Sequence, residues 1–185
     1  MPRYLALLRG INVGGRNKVA MADLREIATL LGHTGVATYI QSGNLVFTSP
    51  EAGTAALADA LQQEIASRLA VNPAVVVLSA AELGQAIAGN PFPDEPNPKM
   101  VHAVFRRDDY TAGDLAAIEA AKQRAGDKLG RDEAVVAGRT LYLHTPDGFG
   151  RSELAAQLTR PIAQVSGTAR NWATVTKLMG MLEEG

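Results

Sequence analysis

Apolar and polar positions follow two rhythms along this chain, and their order outlines a fold. A short apolar run over residues 4–8, between Arg3 and Arg9, reads as a strand buried on both faces. From Met21 the spacing lengthens to that of a helix over 21–31, with Leu24, Ile27, Ala28 and Leu31 on one face and Gly32 as its stop. Residues 38–41 and 45–48 read as two strands around the turn "QSGN", where Gly43 can take positive φ. A helix over 54–69 and, after Pro73, the strand "AVVVLS" complete the order βαββαβ. A short helix over 80–88 follows.

Pro91, Pro93, Pro96 and Pro98 in "NPFPDEPNPK" forbid regular structure and mark a linker. Beyond it "KMVHAVFR" is a strand, 112–125 a helix and "EAVVAGRTLYLH" a hairpin pivoting on Gly138. A helix over 152–159, an irregular stretch and a helix from Asn171 to Leu182 close the chain. The hairpin glycines Gly43 and Gly138 recur at nearly the same offset as Pro50 and Pro146 of "SPEAG" and "TPDG", which points to a duplication. The expected layout is a first subdomain over 1–79, a short helix and Pro-rich linker over 80–98, and a second subdomain with a C-terminal helix over 99–185. Strands such as "LALL" and "AVVVL" are apolar on both alternating faces, so both faces of their sheets must be covered.

Composition narrows the chemistry. With 185 residues, 46% hydrophobic and 20% charged, the chain is globular and can bury roughly 70% of its unfolded surface. It has no cysteine, which removes disulfides, thiol catalysis and iron–sulfur ligation and fits a cytoplasmic address. The apolar run near the N-terminus is too short for a signal peptide or a membrane span, so no membrane association is expected. A net charge of −1 gives no general attraction to polyanions, so any anion site must be local. Arg3, Arg9, Arg16 and Lys18 all precede the first acidic residue, Asp23.

That locality contains the loop "GINVGGRNKVAM", about twice the usual length of a connection. Its glycines can turn N–H groups outward and its cations add charge, a combination suited to phosphate or carboxylate. It narrowly misses the G-x-x-x-x-G-K-[ST] pattern: Gly10 and Gly15 fit, but Arg16 and Asn17 stand where Lys and Ser/Thr belong, which disfavours a nucleotide triphosphatase. The corresponding loop of the second half, "RDDYTAGD", has one glycine and mixed charge. The candidate binding residues are Arg9, Asn12, Gly14, Gly15, Arg16 and Lys18, joined by Gln41, Ser42 and Asn44 of "QSGN" and by Arg170 and Asn171 at the start of the last helix. At "QSGN" turn chemistry explains the residues as well as binding does, and Asn171 can equally cap its helix.

His33, His102 and His144 show no ligand spacing, so no metal is expected. His144 and Asp147 form a conceivable acid–base pair. Stacking of bases is disfavoured by an aromatic content of 5%.

The segments "LLRGINVGGRNKVAM", "TYIQSGNLVFTS", "NPF" and "TARNWATVTKL", in this order, resemble a bacterial family known as domain of unknown function 1697. Arg9, Gly10, Asn12, Val13, Gly14, Gly15, Lys18, Tyr39, Gln41, Ser42, Gly43, Asn44, Arg170, Asn171, Trp172, Thr174 and Lys177 carry the resemblance. It implies an α+β protein of two ferredoxin-like (βαββαβ) subdomains and no reaction, cofactor or partner. The leading expectation is a cytoplasmic protein that binds a small anionic ligand, a nucleotide or a nucleic-acid end at the Gly-rich loop. Two alternatives stay open: an enzyme using the same pocket, with Gln41, Ser42, Asn44 or His144 orienting substrate, and a protein-interaction module. Oligomeric state is not legible.

Overall fold

The computed structural model describes residues 1–51, 53–160, 165 and 167–184. Its elements in chain order are β1 (Arg3–Leu8), α1 (Met21–Leu30), β2 (Thr34–Tyr39), β3 (Asn44–Thr48), α2 (Thr54–Leu69), β4 (Val75–Ser79), α3 (Ala80–Ala88), β5 (Val101–Phe105), α4 (Ala112–Ala125), β6 (Glu133–Ala137), β7 (Thr140–His144), α5 (Glu153–Leu158), β8 (Thr168–Asn171) and α6 (Trp172–Glu183). Two four-stranded antiparallel sheets result, ordered β2-β3-β1-β4 and β6-β7-β5-β8. The same βαββαβ order and strand arrangement occur twice, as two ferredoxin-like subdomains and a C-terminal helix require. Contacts divide the chain into Met1–Gly84 with Lys177–Gly185, and Gln85–Thr176. The division falls within α3 and within α6.

In the first unit, Tyr4, Ala6 and Leu8 of β1 pack with Leu24, Ile27 and Ala28 of α1 and Leu57, Leu61 and Ile65 of α2. Leu5 and Leu7, on the other face of β1, are fully buried, and their ladder partners Val46, Val76 and Leu78 are buried as well. Both faces of this strand are therefore withdrawn from water, as its apolar run demands. In the second unit Val104, Leu141 and Leu143 pack with Ile118 and Ala121 of α4 and Leu154, Ala155 and Leu158 of α5. On the opposite face the buried Tyr142 donates its hydroxyl to the Ala86 carbonyl and lies 6.2 Å from the Trp172 ring.

Two sequence expectations need correction. The stretch after the 152–159 helix lies partly outside the described residues, and its end is a strand: β8 pairs with β5 from His102↔Asn171 to Phe105↔Thr168. The last helix accordingly starts at Trp172, with Asn171 closing the strand. The first strand of the first hairpin is also longer than expected. It begins at Thr34, passes an irregularity between Thr34 and Ala37 where Gly35 has φ +56°, and ends at Tyr39.

Candidate functional site

Three connections of the first unit are tied together at the C-terminal end of β1. Leu8 donates its N–H to the Gly43 carbonyl at 2.9 Å, and Arg9 donates to Ala74 at 2.9 Å. The long loop after β1, the β2–β3 turn and the entry to β4 thereby share one edge. Gly43 is required there twice over. Its φ is +82°, and a Cβ would stand 2.8 Å from Ile11 Cδ1 and 2.8 Å from Leu8 Cβ.

The loop is a small finger built on asparagine side chains. Residues 13–16 make a tight turn in which Arg16 donates its N–H to the Val13 carbonyl at 3.1 Å. Gly14 and Gly15 at its centre have φ +59° and +75°, the positive pair that a type I′ hairpin turn needs. One residue further out, Asn12 N–H donates to Asn17 O at 3.1 Å. Asn12 and Asn17 are themselves left-handed, at φ +54° and +49°, a conformation asparagine tolerates better than other side chains. The Asn12 amide donates to Val19 O at 2.8 Å and Gln41 O at 2.9 Å, while its Oδ1 accepts the Val19 N–H at 2.9 Å. Asn17 donates to Gly10 O at 3.0 Å. With about 1 kcal/mol net for each such bond, these contacts outweigh the cost of the strained backbone. The Asn12 amide is thus part of the loop's framework. Gly14 and Gly15 stand exposed at the tip, and their amides make no hydrogen bond among the described residues.

Charge on the finger is uncompensated. Arg16 and Lys18 are exposed, and neither meets a carboxylate among the described residues. Arg9 is half-buried at the base, and burial pushes its guanidinium below the usual arginine range. Arg3 sits at the far end of β1, about 20 Å away at 3.4 Å per residue, and belongs to a different edge. The second unit handles the corresponding connection differently. Arg106 donates to Asp108 O at 3.0 Å, Asp109 O at 2.9 Å and Asp114 Oδ2 at 3.0 Å, with its guanidinium 4.5 Å from the Tyr110 ring. Asp114 is buried and also closes a capping box with Thr111. The loop of the second copy consumes Arg106 internally; that of the first presents Arg16 and Lys18 to solvent.

The turn residues divide by role. Asn44 is fully buried and donates to Tyr39 O at 2.9 Å and Ser42 Oγ at 3.0 Å, so it closes the hairpin. Gln41 is exposed, and its carbonyl receives Asn12. Ile40, not expected from sequence, has φ +50° and is 51% exposed, a strained position for a β-branched residue. The carbonyls on either side of it, Tyr39 O and Gln41 O, are each held by an asparagine amide, which keeps the strain in place.

Arg170 and Asn171 belong to the second unit. Arg170 is buried, donates to Thr168 Oγ1 at 3.3 Å and Ala169 O at 2.9 Å, and has its pKa lowered by burial to about 10. Asn171 accepts the Thr174 N–H at 2.9 Å, which makes it the N-cap of α6.

His144 does not pair with Asp147. Its Nε2 lies 2.7 Å from Glu95 Oε2 and its Nδ1 3.5 Å from Glu133, with Phe92 stacked at 4.8 Å, whereas Asp147 accepts from Arg131 at 2.7 Å. Glu95, His144, Pro91, Pro93 and Pro96 are among the residues lining a depression of ≈ 320 Å³. No spacing in the sequence announces Glu95. The buried His33 stacks on Phe47 at 4.5 Å, and the partly buried His102 stacks on Phe149 at 3.9 Å. No group of three His, Asp or Glu among the described residues is arranged to hold a metal ion, and no helix is long and apolar enough to cross a membrane.

Comparison with known proteins agrees with this architecture. A solved structure of a conserved bacterial protein from Streptococcus pneumoniae matches with a TM-score of 0.74 and 28% identity, covering 98% of each chain. No curated protein matches. A family model described as protein of unknown function matches residues 1–142. The chain therefore belongs to the DUF1697 family of proteins of unknown function.

Proposed function

We propose that this is a cytoplasmic binding protein whose finger, residues 10–18, takes a phosphate- or carboxylate-bearing ligand such as a nucleotide or a nucleic-acid end. The observation that carries this is the difference between the two copies of the β–α connection: Arg106 is bound to Asp108 and Asp109 of its own loop and to Asp114, while Arg16 and Lys18 have no carboxylate partner among the described residues. Arg16 and Lys18 supply charge-assisted hydrogen bonds, the exposed Gly14 and Gly15 amides add donors, and Asn12 holds the backbone in the presenting conformation. Arg9 adds positive potential at the base. Gln41 stands on the turn bonded to the finger and can reach the same ligand. Ser42 and Asn44 support the turn. Arg170 and Asn171, the remaining candidates, lie in the second unit, where Arg170 donates to Thr168 and Ala169 and Asn171 caps α6.

Calorimetric titration of inorganic pyrophosphate into wild type, Arg16→Ala and Lys18→Ala tests this. Each substitution removes a charge-assisted bond worth about 1.5–3 kcal/mol, so affinity should fall at least tenfold. Equal affinity in all three proteins removes the finger from the binding site.

A further inference from the structure

The finger carries an apolar side chain as well as charge. Val13 is 68% exposed beside Arg16 in the tight turn. The same unit holds the complementary surface: a depression of ≈ 230 Å³ between α1 and α2, with Ile27, Leu30 and Leu69 lining it and Asp23 and Glu26 at its edge. Leu30 is 55% exposed. Neither Asp23 nor Glu26 meets a cation among the described residues, and Arg68, which also lines the depression, is turned to Glu64 of its own helix. Only residues 19–22 separate Lys18 from Asp23, yet within one chain these opposite charges do not pair. The two unpaired cations and the two unpaired carboxylates match a second molecule better than they match each other.

We infer that two copies of this chain associate about a two-fold axis, each placing the Val13 tip in the other's α1–α2 depression, with Arg16 and Lys18 against the partner's Asp23 and Glu26. Finger and depression belong to one unit and are linked by residues 19–22 alone, and a two-fold operation makes the two contacts reciprocal, as an isologous interface requires. The depression has room for a valine side chain, and seating it covers Leu30. Opposite charges around an apolar contact set register and exclude other alignments. Association and anion binding draw on the same Arg16 and Lys18, so pyrophosphate should compete with the dimer, yet a chain indifferent to pyrophosphate would still associate here.

Sedimentation velocity of the whole chain from micromolar to millimolar concentration reads this directly. Wild type should show a reversible monomer–dimer equilibrium that weakens with salt. Arg16→Glu/Lys18→Glu has finger and depression both acidic, and Asp23→Lys/Glu26→Lys has both basic. Each should self-associate at least tenfold more weakly than wild type, and an equimolar mixture should recover a one-to-one dimer, since each finger then meets a depression of opposite sign. Recovery on mixing also shows that both variants are folded. Val13→Asp should weaken association without altering the far-ultraviolet circular dichroism. A monomeric wild type at millimolar concentration, or a dimer unaffected by all these changes, overturns the inference, as does a mixture no more associated than its components.

Discussion

Acidification from pH 7 to pH 4 loads the unfolded chain with a proton that the folded chain refuses at His102. The ring lies in β5, stacked 3.9 Å from Phe149, with Nδ1 buried and without a hydrogen-bond partner. Burial lowers its pKa from 6.5 to about 4. Because the folded value lies below the unfolded one, the unfolded state binds more protons throughout that window. Stability is therefore full above pH 6.5 and falls as pH drops towards 4. At 1.36 kcal/mol per pKa unit, the loss is roughly 3 kcal/mol, a large share of the 5–15 kcal/mol typical of a folded protein. His33, buried against Phe47 with both ring nitrogens unpartnered, is also lowered by burial and adds a loss of the same sign. Urea unfolding of wild type and His102→Phe across this range isolates the term. The phenyl ring keeps the stacking and cannot titrate, so the wild-type stability should fall by roughly 3 kcal/mol more than that of the variant between pH 7 and 4. Parallel pH curves, or an imidazole proton signal from His102 titrating near 6.5, would refute this reasoning.

Two further predictions concern the framework under the finger. Gly43→Ala forces a side chain into a φ of +82° and against Ile11 and Leu8, so urea unfolding should show a loss of about 2–4 kcal/mol from backbone strain and overpacking together. Asn12→Ala deletes three side-chain bonds and leaves the Val19 N–H without its acceptor, so stability should fall by about 1–3 kcal/mol. In that variant, amide exchange should quicken at Val19 and at the backbone N–H of position 12, and unchanged protection there would show that the side chain is not the brace described.

The sequence disclosed most of the frame because periodic burial and turn chemistry are local. The bounds of α2, α3 and α4, the glycine hairpins and the βαββαβ order all follow from apolar spacing and from Gly or Pro at fixed offsets. β8 escaped because it has only four residues, Thr168 and Arg170 among its buried positions are polar, and no turn separates it from α6. Asn171 is both strand end and helix cap, and only the cap has a sequence signature. β2 reads short in the sequence because Thr34, Gly35 and a register irregularity at a sheet edge present no alternating pattern.

At the site, the glycines announced a long loop and the cations announced their charge. Nothing in the spacing shows that Asn12 reaches Val19 and Gln41, or that Asn44 is spent closing its own hairpin. Asparagine in a turn has the same composition signal whether it braces backbone or waits for a ligand, and only the hydrogen-bond partners separate the two. Strain at Ile40 is likewise invisible, since isoleucine is ordinarily a strand former.

The two copies of the β–α connection provide an internal control for the central claim. One presents Arg16 and Lys18 without a carboxylate partner among the described residues, while the other binds Arg106 within its loop and carries Asp108 and Asp109 beside its arginines. Backbone amide shifts of the whole chain, followed by nuclear magnetic resonance during titration with pyrophosphate at low salt, compare them in one sample. Saturable shifts should appear at Gly14, Gly15, Arg16 and Lys18, with Asp108, Asp109 and Thr111 left in place. Shifts of equal size in both loops, or none in the first, would contradict the account.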